Sequence, residues 1–494
     1  MLKKTQSLKK IMRLVVVVII VAAPVLTAVF FNMSRRIDRV VIITIDTMRA
    51  DHLRCYGYPR MTAPFIESLA QRGAVFLRAA AQSSSTSPSH ASIFTSLYPT
   101  QHRVLNNSCI LNSDFSTMAE MFRASGFQTA GIASTCVHFK PGNMDQGFDY
   151  FNEPYLPENT DSLEVFRPAK ATIDKAIEWL GTIDTREKFF LWIHLFDTHY
   201  PYKPPGKFRV SPELSAKNGG VLADFYTDIH NVIPGLFDRY TKVFAGRSDR
   251  DRLVECMNLY DGEILFADTH LKKMFLKMVK DDKMKNMLIV LTADHGEGLG
   301  NHNYLQHGRN IYNEQLLVPL IFYSSSGKIK KTVINKTVEL IDIMPTIADL
   351  VGGRVKEELK KLGNIEGISL LPLIKGDHDA FEDKFAFSRR RTYERRSGEK
   401  YPIVDESYES GEKYSIQNDE YKYIYRTHFK DELYNISEDC YETENIIENK
   451  PDIAGKLKAR IMKKIDLFKS WSAKSPEFVD ENMLKRLESL GYIK

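Results

Sequence analysis

Cysteine is scarce in this chain. There are five in 494 residues (Cys55, Cys109, Cys136, Cys256 and Cys440), widely spread and with no C-x-x-C pair. That excludes a zinc ribbon and a disulfide-dense scaffold, and the odd number leaves at least one thiol outside intrachain pairing. No repeat period, Gly-X-Y run or heptad run is present, which removes solenoid, collagen and coiled-coil architectures. Long apolar runs are also lacking: a single stretch is long enough to span a bilayer, so a multi-pass transporter is excluded. Bulk charge of one sign is missing too. Residues 1–39 hold eight basic side chains and one acidic one, so with the whole chain at +5 the remainder is slightly acidic. Such a balance gives no support to nucleic-acid binding.

What is present is the composition of a globular protein, 43% hydrophobic and 11% aromatic, too apolar for a disordered chain. The length accommodates two or three packed units, or one large α/β core with an appendage. The one long apolar run, residues 14–31, carries no charge. It approaches the roughly 20 residues that spanning takes and exceeds the roughly 7–15 of a signal-peptide core. Five basic residues precede it. The positive-inside bias then predicts a cytoplasmic segment 1–13, a single-pass transmembrane anchor at 14–31 and a main domain outside the cytoplasm. A cleaved signal peptide is the alternative, and it too exports the main domain.

Apolar runs alternate with helical patterns beyond residue 38. Strands are expected at 39–45, 189–195, 286–292 and 317–323, and helices at 63–72, 252–279 and 341–350. The alternation predicts an α/β fold, a mostly parallel sheet flanked by helices, over 38–376. The texture changes after 376. The basic stretch 384–400 reads as a solvated loop, and short strands at 414–417, 421–425 and 432–435 with a helix at 452–471 make a smaller α+β subdomain over 377–494.

Three of the strands end in groups able to bind a metal or an anion. The first runs into Asp46. The second ends at His194, with Asp197 and His199 just beyond. The third runs into Asp294 and His295. In open parallel sheets ligands sit beyond the carboxyl ends of the strands, so these residues converge in space while remote in sequence. Carboxylate oxygen with imidazole nitrogen suits zinc or manganese better than calcium, which takes an all-oxygen site. A fourth segment, TSPSHASIF at 86–94, has the marks of a helix start: Pro88 in the first turn, with Thr86 or Ser87 at the cap. A hydroxyl there, close to a metal, is placed to become a nucleophile. The plain alternatives are a simple helix cap at Thr86 and a core histidine at His194.

The segments VVIITIDTMRADHLRCYGY (40–58), TSPSHASIFTSLYPTQH (86–102), HLFDTHYPY (194–202), YDGEI (260–264) and TADHGEGLG (292–300) stand in the order of a family pattern. Together they resemble sulfatase-family enzymes of the alkaline phosphatase superfamily, and ELYNIS at 432–437 is similar to their C-terminal turn. The resemblance implies an alkaline-phosphatase/sulfatase-like fold. It implies Asp46, Asp294 and His295 as metal ligands together with Thr86, and Thr86 as the nucleophile. It further implies His199 and His307 as catalytic contacts, and His90 and His194 as substrate-binding positions. Three departures stand out. The nucleophile position holds Thr86, and threonine cannot become formylglycine. The arginine position of the C/S-x-P-x-R pattern holds His90, and the second Asp of the usual pair is Thr47. A metal-binding threonine resembles the phosphoethanolamine transferases of the same superfamily.

The resulting expectation is a metal-dependent hydrolase of sulfate or phosphate esters. Its cofactor would be a divalent ion, zinc or manganese before calcium, and its substrate an anionic ester on a glycan or a lipid head group. A membrane association through the N-terminal helix belongs to the same reading, and nucleic acid does not. The alternatives are a phospho-group transferase and a catalytically inactive binding protein on the same fold.

Overall fold

β1 (Arg39–Ile45) has the sequence RVVIITI and every residue of it is buried. A β-branched run with no polar face has to lie inside a sheet covered on both sides. The computed structural model describes residues 36–154, 166–209, 249–363, 365–381, 384–391, 411–470 and 476–489. In it β1 occupies an inner position of an eight-stranded sheet. The other strands are β2 (Ala74–Ala80), β3 (Gln128–Ala133), β4 (Tyr150–Asn152), β5 (Phe189–Leu195), β6 (Met287–Thr292), β7 (Leu317–Ser324) and β8 (Thr332–Glu339), in the order β8-β2-β7-β6-β1-β5-β3-β4. β1 pairs in parallel with β5 and β6, whereas β7 runs antiparallel to both β2 and β6.

The helices form two groups. α5 (Asp249–Lys280) contacts both α1 (Pro64–Ala70) and α4 (Ala169–Thr182), and α2 (Thr86–Thr95) contacts both α3 (Met118–Ala124) and α6 (Ile343–Val351). The register that aligns Thr44 with both His194 and Thr292 brings the carboxyl ends of β1, β5 and β6 level. Asp46, Asp197 and Asp294 leave the sheet there, so the strand ends do converge.

The C-terminal part is a four-stranded antiparallel sheet of β9 (Ala386–Arg390), β10 (Lys413–Gln417), β11 (Tyr421–Arg426) and β12 (Glu432–Asn435), with α7 (Pro451–Ser470) against it. Its core takes in Tyr98 and Ile341 of the main unit. Two sequence expectations change here. The basic stretch is not all loop: β9 lies within it, pairing Arg390 with Lys413, and Arg390 is buried. The cause is anchorage across the two units, since the Phe387 N–H donates to Glu339 Oε1 at 2.9 Å and the Arg389 N–H donates to the Gln82 carbonyl at 2.9 Å. The single-pass membrane placement is corrected as well. No helix among the described residues is long and apolar enough to cross a membrane. The run 14–31, on which the anchor rested, lies outside the described residues. Even the longest described helix, α5, is interrupted by charge throughout its length. The membrane localisation and the membrane partner are not retained.

Candidate active site

Asp46, Asp294 and His295 each offer a ligand atom, and these atoms lie within 4.8 Å of one another. All three residues are wholly buried. Two of the carboxylate oxygens, Asp46 Oδ1 and Asp294 Oδ2, have no hydrogen-bond partner. Buried carboxylate oxygens are seldom left so, and two of them beside an imidazole make a cradle for a cation. The imidazole has the tautomer a metal requires. His295 Nδ1–H donates to the Gly296 carbonyl at 2.9 Å. Its Nε2 lone pair therefore faces the group, 3.4 Å from Asp294 Oδ2 and 3.9 Å from Asp46 Oδ1. Burial pushes Asp46 up to about 7, partly offset by His295. Burial and the neighbouring Asp46 raise Asp294. Burial opposes the charged form of His295, but Asp294 and Asp46 outweigh it and raise that imidazole. Two buried carboxylates with free oxygens beside an imidazole lone pair fit a divalent ion.

Thr86 is the first residue of α2 and is fully buried. The cap position is Ser85, whose side chain makes no capping bond. The hydroxyl of Thr86 faces the ligands instead, 3.5 Å from Asp46 Oδ2 and 3.4 Å from His295 Nε2. Thr86 is therefore inside the helix rather than at its cap, with its hydroxyl against the ligand atoms. Thr47 turns away: its hydroxyl donates to the Thr198 carbonyl at 2.7 Å, and its N–H reaches Asp294 Oδ1 at 3.3 Å. Its φ of 56° bends the chain after β1, and the Thr198 hydroxyl ties back to the Asp46 carbonyl.

The predicted substrate-binding histidines occupy supporting positions. His90 is wholly buried, and donor logic fixes its ring. Trp192 Nε1–H can only donate, and it does so to Thr44 Oγ1 at 3.0 Å. The Thr44 hydroxyl then donates to His90 Nε2 at 3.1 Å, which leaves the proton on Nδ1 to donate to the Thr86 carbonyl at 2.9 Å. Both ring nitrogens are spent on holding the first turn of α2. His194 is equally buried, and its Nε2 lies 3.2 Å from Asp46 Oδ2. Burial lowers each imidazole to about 4, so both act as neutral hydrogen-bonding groups. His194→Ala is expected to weaken metal binding roughly 10- to 100-fold by releasing Asp46, as measured by titration of metal into stripped protein.

His199 and His307 face the same space. Their ring centroids are 4.8 Å apart, and His307 lies 4.5 Å from the ring of His295. The His199 ring stacks on Phe196, and its Nδ1–H donates to the Tyr200 carbonyl at 2.7 Å. Burial holds both imidazoles well below the usual histidine range, helped by His307 at His199 and by His295 at His307.

Three contributors escape sequence reasoning. Asn107 Oδ1 accepts the Ser87 N–H at 3.0 Å, and His138 Nδ1 lies 3.4 Å from the Ser87 hydroxyl, so both brace the residue after Thr86. Glu297 is buried, and its Oε1 lies 3.1 Å from His307 Nδ1. Burial pushes it up to about 8. No local spacing connects these residues to Thr86; only the Glu297 position, just past His295, gave a signal.

The family described as Sulfatase matches residues 38–353, and the one described as N-sulphoglucosamine sulphohydrolase, C-terminal, matches 300–467. The Delta 4,5-hexuronate-2-O-sulfatase of Bacteroides thetaiotaomicron is 24% identical over 449 residues, 83% of this chain and 84% of that protein. The phosphonate monoester hydrolase of Agrobacterium radiobacter superposes with a TM-score of 0.66 at 18% identity, over 87% of this chain and 96% of that one. A protein solved with its substrate D-glucosamine-2-N,6-O-disulfate gives 0.67 at 19%, over 88% and 98%.

Proposed function

The chain belongs to the sulfatase family of the alkaline phosphatase superfamily, a family of metal-dependent ester hydrolases, and from that premise we propose that it hydrolyses sulfate or phosphate esters with Thr86 as the nucleophile. One observation carries this reading: the Thr86 hydroxyl lies 3.5 Å from Asp46 and 3.4 Å from His295, against the one group of ligand atoms fit for a cation among the described residues. Asp46, Asp294, His295 and Thr86 would hold the ion, and two carboxylates, an imidazole and a hydroxyl favour zinc or manganese. A bound ion would supply a lower hydroxyl pKa and neutralise a non-bridging oxygen of the ester.

The chain's own residues do the rest. Asp46 and His295 would be taken up by the ion, so the Thr86 hydroxyl proton passes to the imidazole of His307 or His199 and from there to the leaving oxygen. Thr86 Oγ1 bonds to sulfur or phosphorus as the leaving oxygen departs, and the charge that develops meets the N-terminal end of α2. Water then attacks the same centre, giving its proton to His307 or His199, and the Thr86 ester bond breaks. An ester on threonine has no hemiacetal route of collapse, so release needs this second attack. That chemistry is ordinary at phosphorus, while the glycan substrate of one structural neighbour supports a sugar as the carrier of the ester.

The test is a substrate panel. Aryl sulfate, sulfated disaccharide, phosphate monoester, phosphate diester and phosphonate monoester are each assayed with zinc, manganese and calcium. Metal-dependent turnover of at least one class is expected. Protein that holds stoichiometric metal and turns over none of them would replace hydrolysis with the binding-protein reading.

A further inference from the structure

The segment YDGEI at 260–264 supplies nothing to the scheme above, yet its first two residues, on α5, are buried against the chain that leaves β1. Asp261 serves the far part of that chain. Its Oδ1 lies 2.7 Å from His52 Nδ1, and its Oδ2 accepts the Tyr58 hydroxyl at 2.8 Å and an Arg60 guanidinium N–H at 2.7 Å. Tyr260 serves the near part. Its hydroxyl donates to the Thr47 carbonyl at 2.7 Å and accepts the Arg49 N–H at 2.8 Å, so one oxygen bridges residues 47 and 49 directly after Asp46. The Tyr260 ring packs edge-on against His52 and Tyr202, with centroids 4.9 and 5.4 Å away.

The bridge acts at Thr47. A φ of 56° is a conformation that a β-branched residue takes only where its surroundings impose it. The turn aims the Thr47 N–H at Asp294 Oδ1, which also accepts the His295 N–H. With that oxygen occupied, Asp294 Oδ2, which has no hydrogen-bond partner, is the one left for an ion. Thr198 holds the turn from its other side, through the Thr47 hydroxyl. We propose that Tyr260 is a positioning residue of the metal centre: its hydroxyl keeps residue 47 in the left-handed turn that sets Asp46 and Asp294 at the spacing of one divalent ion. The inference rests on the metal reading of this site and calls for no proton transfer.

The test is titration of zinc into the stripped full chain, with cobalt(II) as a second probe because its visible spectrum reports ligand number and geometry. Tyr260→Phe removes one oxygen. It should raise the zinc dissociation constant roughly 10- to 100-fold and alter the cobalt spectrum. Tyr58→Phe, which removes a hydroxyl bonded to Asp261 instead, should match wild type in both. Glycine enters the left-handed turn without steric cost, so the loss from Tyr260→Phe should be several-fold smaller in a Thr47→Gly background. Wild-type affinity and spectrum in Tyr260→Phe, an equal loss in Tyr58→Phe, equal losses in both backgrounds, or loss of the fold in both would each overturn the assignment and leave Tyr260 a packing residue. A wild-type chain that takes up neither zinc nor cobalt would instead overturn the metal reading beneath it.

Discussion

Thr86→Ala is expected to lose turnover by several powers of ten while keeping its fold. The hydroxyl is the atom placed against Asp46 and His295, and alanine removes only that oxygen and a methyl. The competing account makes Thr86 a helix cap, whose loss would cost about 1 kcal/mol of stability and little rate. The geometry separates the two, because Ser85 holds the cap position and the Thr86 hydroxyl faces Asp46 and His295. Thr86→Ser should retain part of the activity, since the oxygen stays and only the methyl is lost. Thr86→Cys should not turn the protein into a formylglycine sulfatase, because the arginine of that pattern is His90, which is spent on the Thr86 carbonyl. Mass spectrometry after a rapid quench should find the transferred group on the peptide that contains Thr86. Wild-type turnover in Thr86→Ala would leave water as the nucleophile.

Much of this arrangement is legible in the chain, for a physical reason. β1 and β5 run over the residues expected of them because an unbroken β-branched or aromatic run bounded by polar residues has one way to be buried. The strand-end rule then brings Asp46, Asp294 and His295 together across more than two hundred residues. The boundaries of β6 and of the helices move by only a few residues. What spacing cannot show is which way a histidine faces once it is buried. His90 and His194 stand in segments that resemble substrate-contacting ones, but Thr44 occupies Nε2 of the first and Asp46 Nε2 of the second. Those partners lie on other strands. His138 falls in the same class, since it reaches the site through one long-range contact with Ser87. β9 was hidden because its arginines read as solvated charge, whereas Glu339 and Gln82 hold its backbone from another unit.

Asp294→Asn and His295→Ala should each abolish stoichiometric metal and, with it, activity, while the fold survives. Asp294 has two duties that asparagine divides. Its Oδ1 accepts the His295 N–H at 2.9 Å and the Thr47 N–H at 3.3 Å, which an amide oxygen also does. Its Oδ2 is buried without a partner, and replacing it by an uncharged amide removes the charge that would hold the ion. The stripped wild-type protein offers a second readout. Asp46 titrates near 3.8 when unfolded and at about 7 when folded, so between those values the native state binds the extra proton. The contribution of Asp46 to the stability of the metal-free protein should therefore be fully present below about pH 4 and be lost as pH rises towards 7, by at most about 4 kcal/mol. Metal at about 100 times its dissociation constant should return about 2.7 kcal/mol at neutral pH. Asp294→Asn should abolish the metal response, because one of the two carboxylate charges that would hold the ion is gone. Elemental analysis showing unchanged metal in both variants would remove this group of residues as the metal centre.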